Sequence, residues 1–514
     1  MAEGVINFEP TSLARARELR DQETLSPAGI VVDAPRDAVP SDAALEPPLV
    51  VDLDGTLLRS DLLVESFSAT VATRPLKALG GLLALRDGKA ALKARLAQDV
   101  QLDFAPMPWN EDLLDLLAAE RARGRRLYLA SAADRSLVEA VAAHFGFFDG
   151  VFASDGTTNL SGSAKAAALC AAFGEGGFDY AGNDKVDLQV WEKAAGVLVV
   201  NANAKLTRQA VSRWPNATVL GQLRAEPRAY IKAIRVHQWA KNLLLVMPML
   251  GAHLIDTADV VHCLIAFMAF SLCASSVYVM NDLADLARDR RHRTKRMRPF
   301  AAGTVPMLHG LVMIPVLLVA SFGLAVLLPP YFVALLAIYY GITVAYSMGL
   351  KRQLMVDVVV LSLLYGIRLY AGAVAVGVPM SAWLGAFSMF LFTSLALIKR
   401  SAELADRSAN GLGDPSGRDY RLSDLPVLEA LAAASGFTAV LVMGLYVSSD
   451  AVRLLYSSPN RLFLICSVLV YWLGRILVLT HRNEMHEDPV FFAVTDRASH
   501  VCALLCLVIF AASL

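Results

Sequence analysis

The chain has 514 residues with 47 basic and 47 acidic side chains, so its formal net charge is zero; 56% of its residues are hydrophobic and its mean hydropathy is +0.48. The length calls for more than one domain, and this hydropathy excludes a soluble enzyme from end to end. Balanced charge gives no bulk field to attract a nucleic acid, so none is expected as a partner, and the six cysteines, lacking zinc-ligand or secreted-scaffold spacing, read as small buried hydrophobes.

Residues 1–47 carry charges and prolines without clear periodicity, so a disordered segment is expected, apart from a short helix around Ser12–Arg20. They contain no apolar run of the signal-peptide kind, which points the domain that follows to the cytosol. Leu49-Val50-Val51-Asp52 then reads as a buried parallel strand, and similar short runs recur at 126–131, 150–154, 178–182 and 196–200 with helical stretches between them. The alternation predicts an α/β, Rossmann-like domain over 48–215 with its ligand at the C-terminal ends of the strands. Residues 60–120, rich in Leu, Ala and Lys, predict a small helical cap inserted after the first strand. A linker is expected at 216–230.

From 231 to 514 the pattern changes to long apolar runs and predicts an all-α polytopic membrane bundle of about nine transmembrane helices. These fall near 240–255, 260–281, 307–328, 331–348, 355–374, 382–399, 426–448, 460–480 and 498–514; the first is short and contains Pro248. Alternate loops hold sixteen Lys and Arg on one side against Arg453 alone on the other. This bias places the α/β domain and the loop after the second span on the cytoplasmic side of a bacterial inner membrane, with the C-terminus outside.

That loop, Asn281 to Pro299, is the most highly charged part of the bundle. On a continuous helix Asp282, Asp285 and Asp289 stand at i, i+3 and i+7 and share one face, and like charges so placed beside a membrane call for a divalent metal. Mg²⁺ suits such a site because it is bound through a few carboxylates plus substrate phosphates, so a diphosphate is expected at the bilayer surface.

Two resemblances sharpen these readings. Asp52-Leu53-Asp54-Gly55-Thr56-Leu57 resembles motif I of the haloacid dehalogenase (HAD) superfamily, and over about 47–205 three further matches follow in that family's order. The resemblance implies that Asp52 attacks phosphorus, Asp54 is the general acid and base, Ser131 binds the phosphoryl group and Lys165 neutralises its charge, with Asp52, Asp54 and an acid of Gly182-Asn183-Asp184-Lys185-Val186-Asp187 at the metal. This family commonly has an acid directly after that glycine; here the position is Asn183, which leaves Asp184 or Asp187, the latter at the usual offset.

The acid-rich segment matches the NDxxDxxxD motif of the UbiA prenyltransferase superfamily. Together with Arg235-Val236-His237-Gln238-Trp239-Ala240-Lys241-Asn242, Thr294 to Pro299, Lys399-Arg400 and His486-Glu487-Asp488-Pro489, it resembles the decaprenyl-phosphate phosphoribosyltransferase branch. The second acidic motif common in aromatic prenyltransferases is reduced here to Asp357, near Lys351. The resemblance implies 5-phosphoribosyl 1-diphosphate as donor and a polyprenyl phosphate as acceptor, in cell envelope biosynthesis. Asp282, Asp285 and Asp289 would hold Mg²⁺ and the departing diphosphate beside Asn281, with Asp357 and Lys351 across the pocket. Arg290, Lys295, Arg298, Lys399 and Arg400 are candidates for the lipid phosphate, and Lys241, Asn242 and Arg368 for further substrate contacts, since polar groups inside spans are costly. Arg475 is a further in-span cation that could instead snorkel to the interface. The alternatives are a 4-hydroxybenzoate-type polyprenyltransferase, a membrane-anchored phosphatase and a P-type pump, the last disfavoured by a motif that is not DKTGT.

Overall fold

A computed structural model describes residues 46–73, 102–155, 158–222, 227–254, 256–415, 417–449, 452, 456–485 and 488–513. The expected helix around Ser12–Arg20 and the middle of the expected cap lie outside the described residues. The chain folds as two compact units: residues up to Ala233 with Asp282–Leu311, and Ile234–Asn281 with Val312–Leu514.

The first unit is built on a parallel sheet of six strands, β1 (Leu49–Asp52), β2 (Leu127–Asp134), β3 (Gly150–Ser154), β4 (Asp179–Gly182), β5 (Gly196–Ala202) and β6 (Thr218–Gln222), in the order β3-β2-β1-β4-β5-β6. β1 is central and wholly buried because it pairs on both edges, Leu49 opposite Leu127 and Asp179, and is covered on both faces. Alternate residues serve different cores. Leu49 and Val51 join Leu113, Leu117, Val138 and Val141 of the helices Glu111–Ala122 and Arg135–Phe145, while Val50 packs with Leu169, Val190 and Leu206 on the other side. Asp52 has the parity of Val50, which turns it toward the helix Ser163–Phe173.

β6 lies where a linker was expected. Thr218–Gln222 pairs with β5 as an edge strand, and a short run with so few apolar residues gives no periodicity to detect. The segment Asp282–Leu311, expected to belong with the membrane helices, packs in the first unit: Gly303, at φ +70°, lies so close to the Arg59 carbonyl that an added Cβ would stand 2.9 Å from it.

The second unit is helical. Among the described residues seven helices are long and apolar enough to cross a bilayer, from Thr257–Ala284 to Pro459–His481, against about nine expected; Pro489–Thr495 and Arg497–Ser513, bent by 82° at their junction, bring the number to eight if the pair counts as one span. The expected first span differs: Val236–Val246 is a 3₁₀ helix followed by the short α-helix Met247–Gly251. At ~2.0 Å per residue for the first piece and ~1.5 Å for the second, the contour is still about 30 Å, a hydrocarbon thickness. Gly372 explains how this irregular piece is seated, because any Cβ there would stand 2.1 Å from the Leu245 carbonyl oxygen. The bundle core then forms around Phe270, Phe332, Leu336 and Ala371 on one side and Phe392, Leu397, Ile398 and Ile476 on the other.

Candidate active sites

In the α/β unit the strand ends bring the motif residues together. Lys165 Nζ lies 2.6 Å from Asp52 Oδ1, 2.9 Å from the Tyr180 hydroxyl and 3.3 Å from the Ala130 carbonyl, while Thr56 donates to Asp52 Oδ2 at 3.2 Å. Ser131 Oγ donates to Asp54 Oδ2 at 3.2 Å, and Asp54 Oδ1 accepts the Leu62 N–H at 2.8 Å. Asp187 is buried; its Oδ2 accepts the N–H groups of Asn183 and Asp184 and its Oδ1 accepts the Tyr180 hydroxyl at 3.0 Å. Asp184 is exposed and accepts the Lys185 N–H, so of the two candidate acids Asp187 is the one turned into the cleft. Asn183 lies against the motif I loop: a Cβ on Gly55, at φ +78°, would stand 2.1 Å from its Nδ2.

The electrostatics follow from burial and crowding. Asp187 is pushed up to about 6, first by burial and then by the charge of Asp52, against the opposing pull of Lys165 and its two N–H donors. Burial alone would lower Lys165, yet the charges of Asp52 and Asp187 outweigh it and hold the lysine above its ordinary value. Tyr180, which the sequence hid among strand residues, is raised well above its ordinary value by burial and by Asp187 and Asp52, and stays a neutral bridge between lysine and acid. Among the described residues no cluster of three or more His, Cys, Asp or Glu side chains could by itself enclose a metal. The cleft instead offers buried carboxylate oxygens with one lysine among them, the donor set Mg²⁺ uses when substrate phosphate completes its shell.

The acid-rich segment is arranged differently from the expected single face. The helix ends at Ala284, Asp285 has φ −93° and ψ 9°, and a new helix runs Leu286–Arg291, so the register is broken between the first acid and the last. Buried Asp282 and Asp289 converge on Arg298, whose Nη1 lies 3.1 Å from Asp282 Oδ1 and also bonds Asp289 Oδ2. Asp285 pairs with Arg288 at 3.0 Å. Two buried carboxylates brought to one guanidinium gather oxygen donors at one point, which fits a divalent cation with a diphosphate. Lys295 is exposed and Asn281 half-buried. Arg290, expected beside a lipid phosphate, has its guanidinium committed to Glu65 at 2.6 and 2.9 Å.

In the helical unit the surplus is positive. Lys241 and Lys399 approach the same oxygen of Asp488, at 2.9 and 2.6 Å, and Asp488 Oδ1 caps the helix Pro489–Thr495 through the Val490 N–H. Tyr365, Leu361 and Leu395 line the same small pocket with Lys399 and Asp488. Arg368 Nε donates to Asn242 at 2.8 Å and its Nη2 to the Tyr339 hydroxyl at 2.9 Å, with the guanidinium over the Tyr339 ring; Asn242 in turn donates to Ser271. Asp357 and Arg400 are fully buried as a pair at 2.6 Å, closed by the Tyr420 hydroxyl on Asp357 and by Glu403 and Tyr346 on Arg400. Lys351 is half-buried and is not part of that pair. Arg475 forms a two-bond pair with Asp496 at 2.8 and 3.0 Å, which replaces the snorkelling expected of it. Asp488 was legible as part of a motif but not as the partner of two lysines, and Tyr420 and Asp496 escaped the sequence reading, because each acquires its role from a partner 21 or more residues away.

A parallel α/β domain with a carboxylate-lysine cleft, on a chain with a polytopic helical bundle, is the architecture of an integral membrane transferase that carries a hydrolase-type domain. The chain belongs to the UbiA prenyltransferase family, whose model matches residues 243–503, and residues 49–190 match the haloacid dehalogenase-like hydrolases. It is 36% identical over 88% of its length to the uncharacterized protein y4nM of Sinorhizobium fredii, covering 88% of that protein. It is 37% identical to the nodulation protein NoeC of Azorhizobium caulinodans over 54% of this chain and 90% of that one. A decaprenyl-phosphate phosphoribosyltransferase of Mycobacterium tuberculosis is 40% identical over 34% of this chain and 59% of its own length. A UbiA homolog of Archaeoglobus fulgidus bound to GPP and Mg²⁺ superposes with a TM-score of 0.44 at 15% identity, over 55% of this chain and 98% of that one.

Proposed function

We propose that this chain transfers a phosphoribosyl group from 5-phosphoribosyl 1-diphosphate to a polyprenyl phosphate at the cytoplasmic face of the membrane, and that its HAD domain removes the 5-phosphate of the product. The observation that carries the first part is the pair of lysines on one carboxylate oxygen beside an apolar lining: the lining suits a prenyl chain and the unbalanced cation suits its phosphate. The relationship to decaprenyl-phosphate phosphoribosyltransferases supports the choice of donor. The Lys and Arg bias of the loops supports the sidedness.

In this reading an oxygen of the lipid phosphate forms the new bond to C1 of the ribose as the bond from C1 to the diphosphate breaks. The acceptor phosphate is already ionised, so no general base is required, and Asp357, closed by Arg400 and Tyr420, serves to position that arginine. Asp282 and Asp289 of the acid-rich segment, and separately Asp52 and Asp187 of the α/β cleft, would hold Mg²⁺, which would supply neutralisation of phosphate charge. Arg298, which bonds both acids, is a ready donor to diphosphate oxygens. In the α/β cleft Asp52 forms the bond to phosphorus, Asp54 gives a proton to the departing sugar hydroxyl, and Lys165 holds the charge of the crowded phosphoryl group. Water activated by Asp54 then cleaves the aspartyl phosphate.

Membranes containing the protein, given Mg²⁺ and a polyprenyl phosphate, are expected to label lipid from radiolabelled 5-phosphoribosyl 1-diphosphate and to release unphosphorylated lipid-linked ribose. Labelling from a prenyl diphosphate with 4-hydroxybenzoate instead would replace this reading with aromatic prenylation.

A further inference from the structure

The α/β domain does more in the first unit than carry a phosphatase cleft. The helix Leu62–Thr73 starts on Asp54, through the Leu62 N–H, and one turn later presents Glu65 to the acid-rich segment. Both oxygens of Glu65 accept from Arg290, at 2.6 and 2.9 Å, and the side chains of both residues are 5% exposed. Ser60 Oγ donates to the same carboxylate at 2.5 Å, so the acid is fixed from its own side before Arg290 arrives. Arg290 also reaches the Ala301 carbonyl from Nε, at 3.4 Å, which joins the helix Leu286–Arg291 to the turn that follows Arg298. Gly303 against the Arg59 carbonyl and an exposed Arg291–Asp103 pair flank this contact on the same two segments.

A two-bond ion pair so thoroughly removed from water recovers little net free energy after desolvation, but it tolerates neither rotation nor loss of one partner. Its worth is geometric. The residue next to Arg290 is Asp289, which with Asp282 grips Arg298, so whatever fixes Arg290 fixes the spacing of the two acids.

We infer that Glu65 and Arg290 are positioning residues for the transferase: through this pair the soluble domain holds Asp289 and Asp282 at the separation a diphosphate and its cation require, a function independent of hydrolysis. The inference rests on the reading of those acids as the diphosphate site. It gives the fused domain a part in transfer even when its own cleft is inactive.

The test uses the full-length protein in lipid nanodiscs with Mg²⁺, polyprenyl phosphate and 5-phosphoribosyl 1-diphosphate. Glu65→Gln is expected to raise KM for the donor about tenfold or more, and to raise the Mg²⁺ needed for half-maximal rate, while KM for the lipid and the hydrolysis of p-nitrophenyl phosphate stay within about twofold. Exchanging the pair, Glu65→Arg with Arg290→Glu, is expected to recover most of the loss. Hydrogen exchange of the amides over 286–303 reads the clamp without any substrate, and Glu65→Gln is expected to speed it about tenfold. Faster exchange in a protein whose wild type transfers nothing from this donor would remove the substrate reading and keep the clamp. Unchanged exchange and unchanged donor constants in Glu65→Gln, a parallel fall in phosphatase activity, or no recovery in the exchanged pair would each overturn the inference.

Discussion

The two units handle buried charge in opposite senses. In the α/β cleft Asp52, Asp54 and Asp187 surround Lys165; in the helical unit Lys241 and Lys399 share Asp488, while Arg368 bonds the neutral Asn242 and Tyr339. The first surplus is negative and suits a cation that brings phosphate with it, and the second is positive and suits the phosphate directly. Position follows the same division. A parallel sheet fixes its acids at strand ends, where neighbouring backbones set the spacing, whereas the bundle fixes its cations by borrowing a carboxylate from a loop many residues away.

The comparison breaks first at its strongest point. Asp52→Asn removes the nucleophile and is expected to lower phosphate release by at least about 10³-fold while leaving transfer of the sugar phosphate intact, so that the 5-phosphorylated lipid accumulates; chromatography of labelled lipids reads both. Asp282→Asn is expected to cost transfer about 10²- to 10³-fold with hydrolysis unchanged, and an equal fall in both activities would erase the distinction between the sites. Lys399→Met leaves Asp488 with Lys241 alone and is expected to weaken binding of the lipid phosphate about 10- to 100-fold, measured as KM for the acceptor.

A smaller effect sharpens the negative side. Because Asp187 stands near 6, above its ordinary 3.8, the folded protein holds an extra proton between those values, and stability from this group is lost as pH rises through that window in the absence of metal. Mg²⁺ is expected to reverse that slope in thermal melts, because a cation held by this carboxylate favours its ionised form. The smallest change is Arg291→Ala: its pair with Asp103 is exposed, and loss of less than about 1 kcal/mol is expected in melting experiments.

How legible all this was depended on whether a residue's role is local. Leu49 to Asp52 announces a central strand because four consecutive residues must all be buried, and the motif acids follow it at fixed offsets. The bundle was legible from hydropathy alone, although the 3₁₀ stretch at Val236–Val246 carries the same composition as an α-helix and nothing in its letters discloses the tighter winding. The face shared by Asp282, Asp285 and Asp289 assumed an unbroken helix, and the break at Asp285 leaves no mark such as proline or glycine at that point. Tyr180, Glu65 and Tyr420 were out of reach for a different reason. Each reads locally as an ordinary strand, helix or loop residue, and its chemistry exists through the partner that folding delivers.

Gly372 has a consequence for how this family member could be altered. With the backbone of two helical pieces in contact at that point, the Asn242–Arg368 bond three to four residues away on either piece works as a gauge of their separation. A single methyl group, Gly372→Ala, wedges the pieces apart, so the polar bolt between them opens before any packing elsewhere is disturbed, and a buried guanidinium is left searching for an anion inside the bilayer.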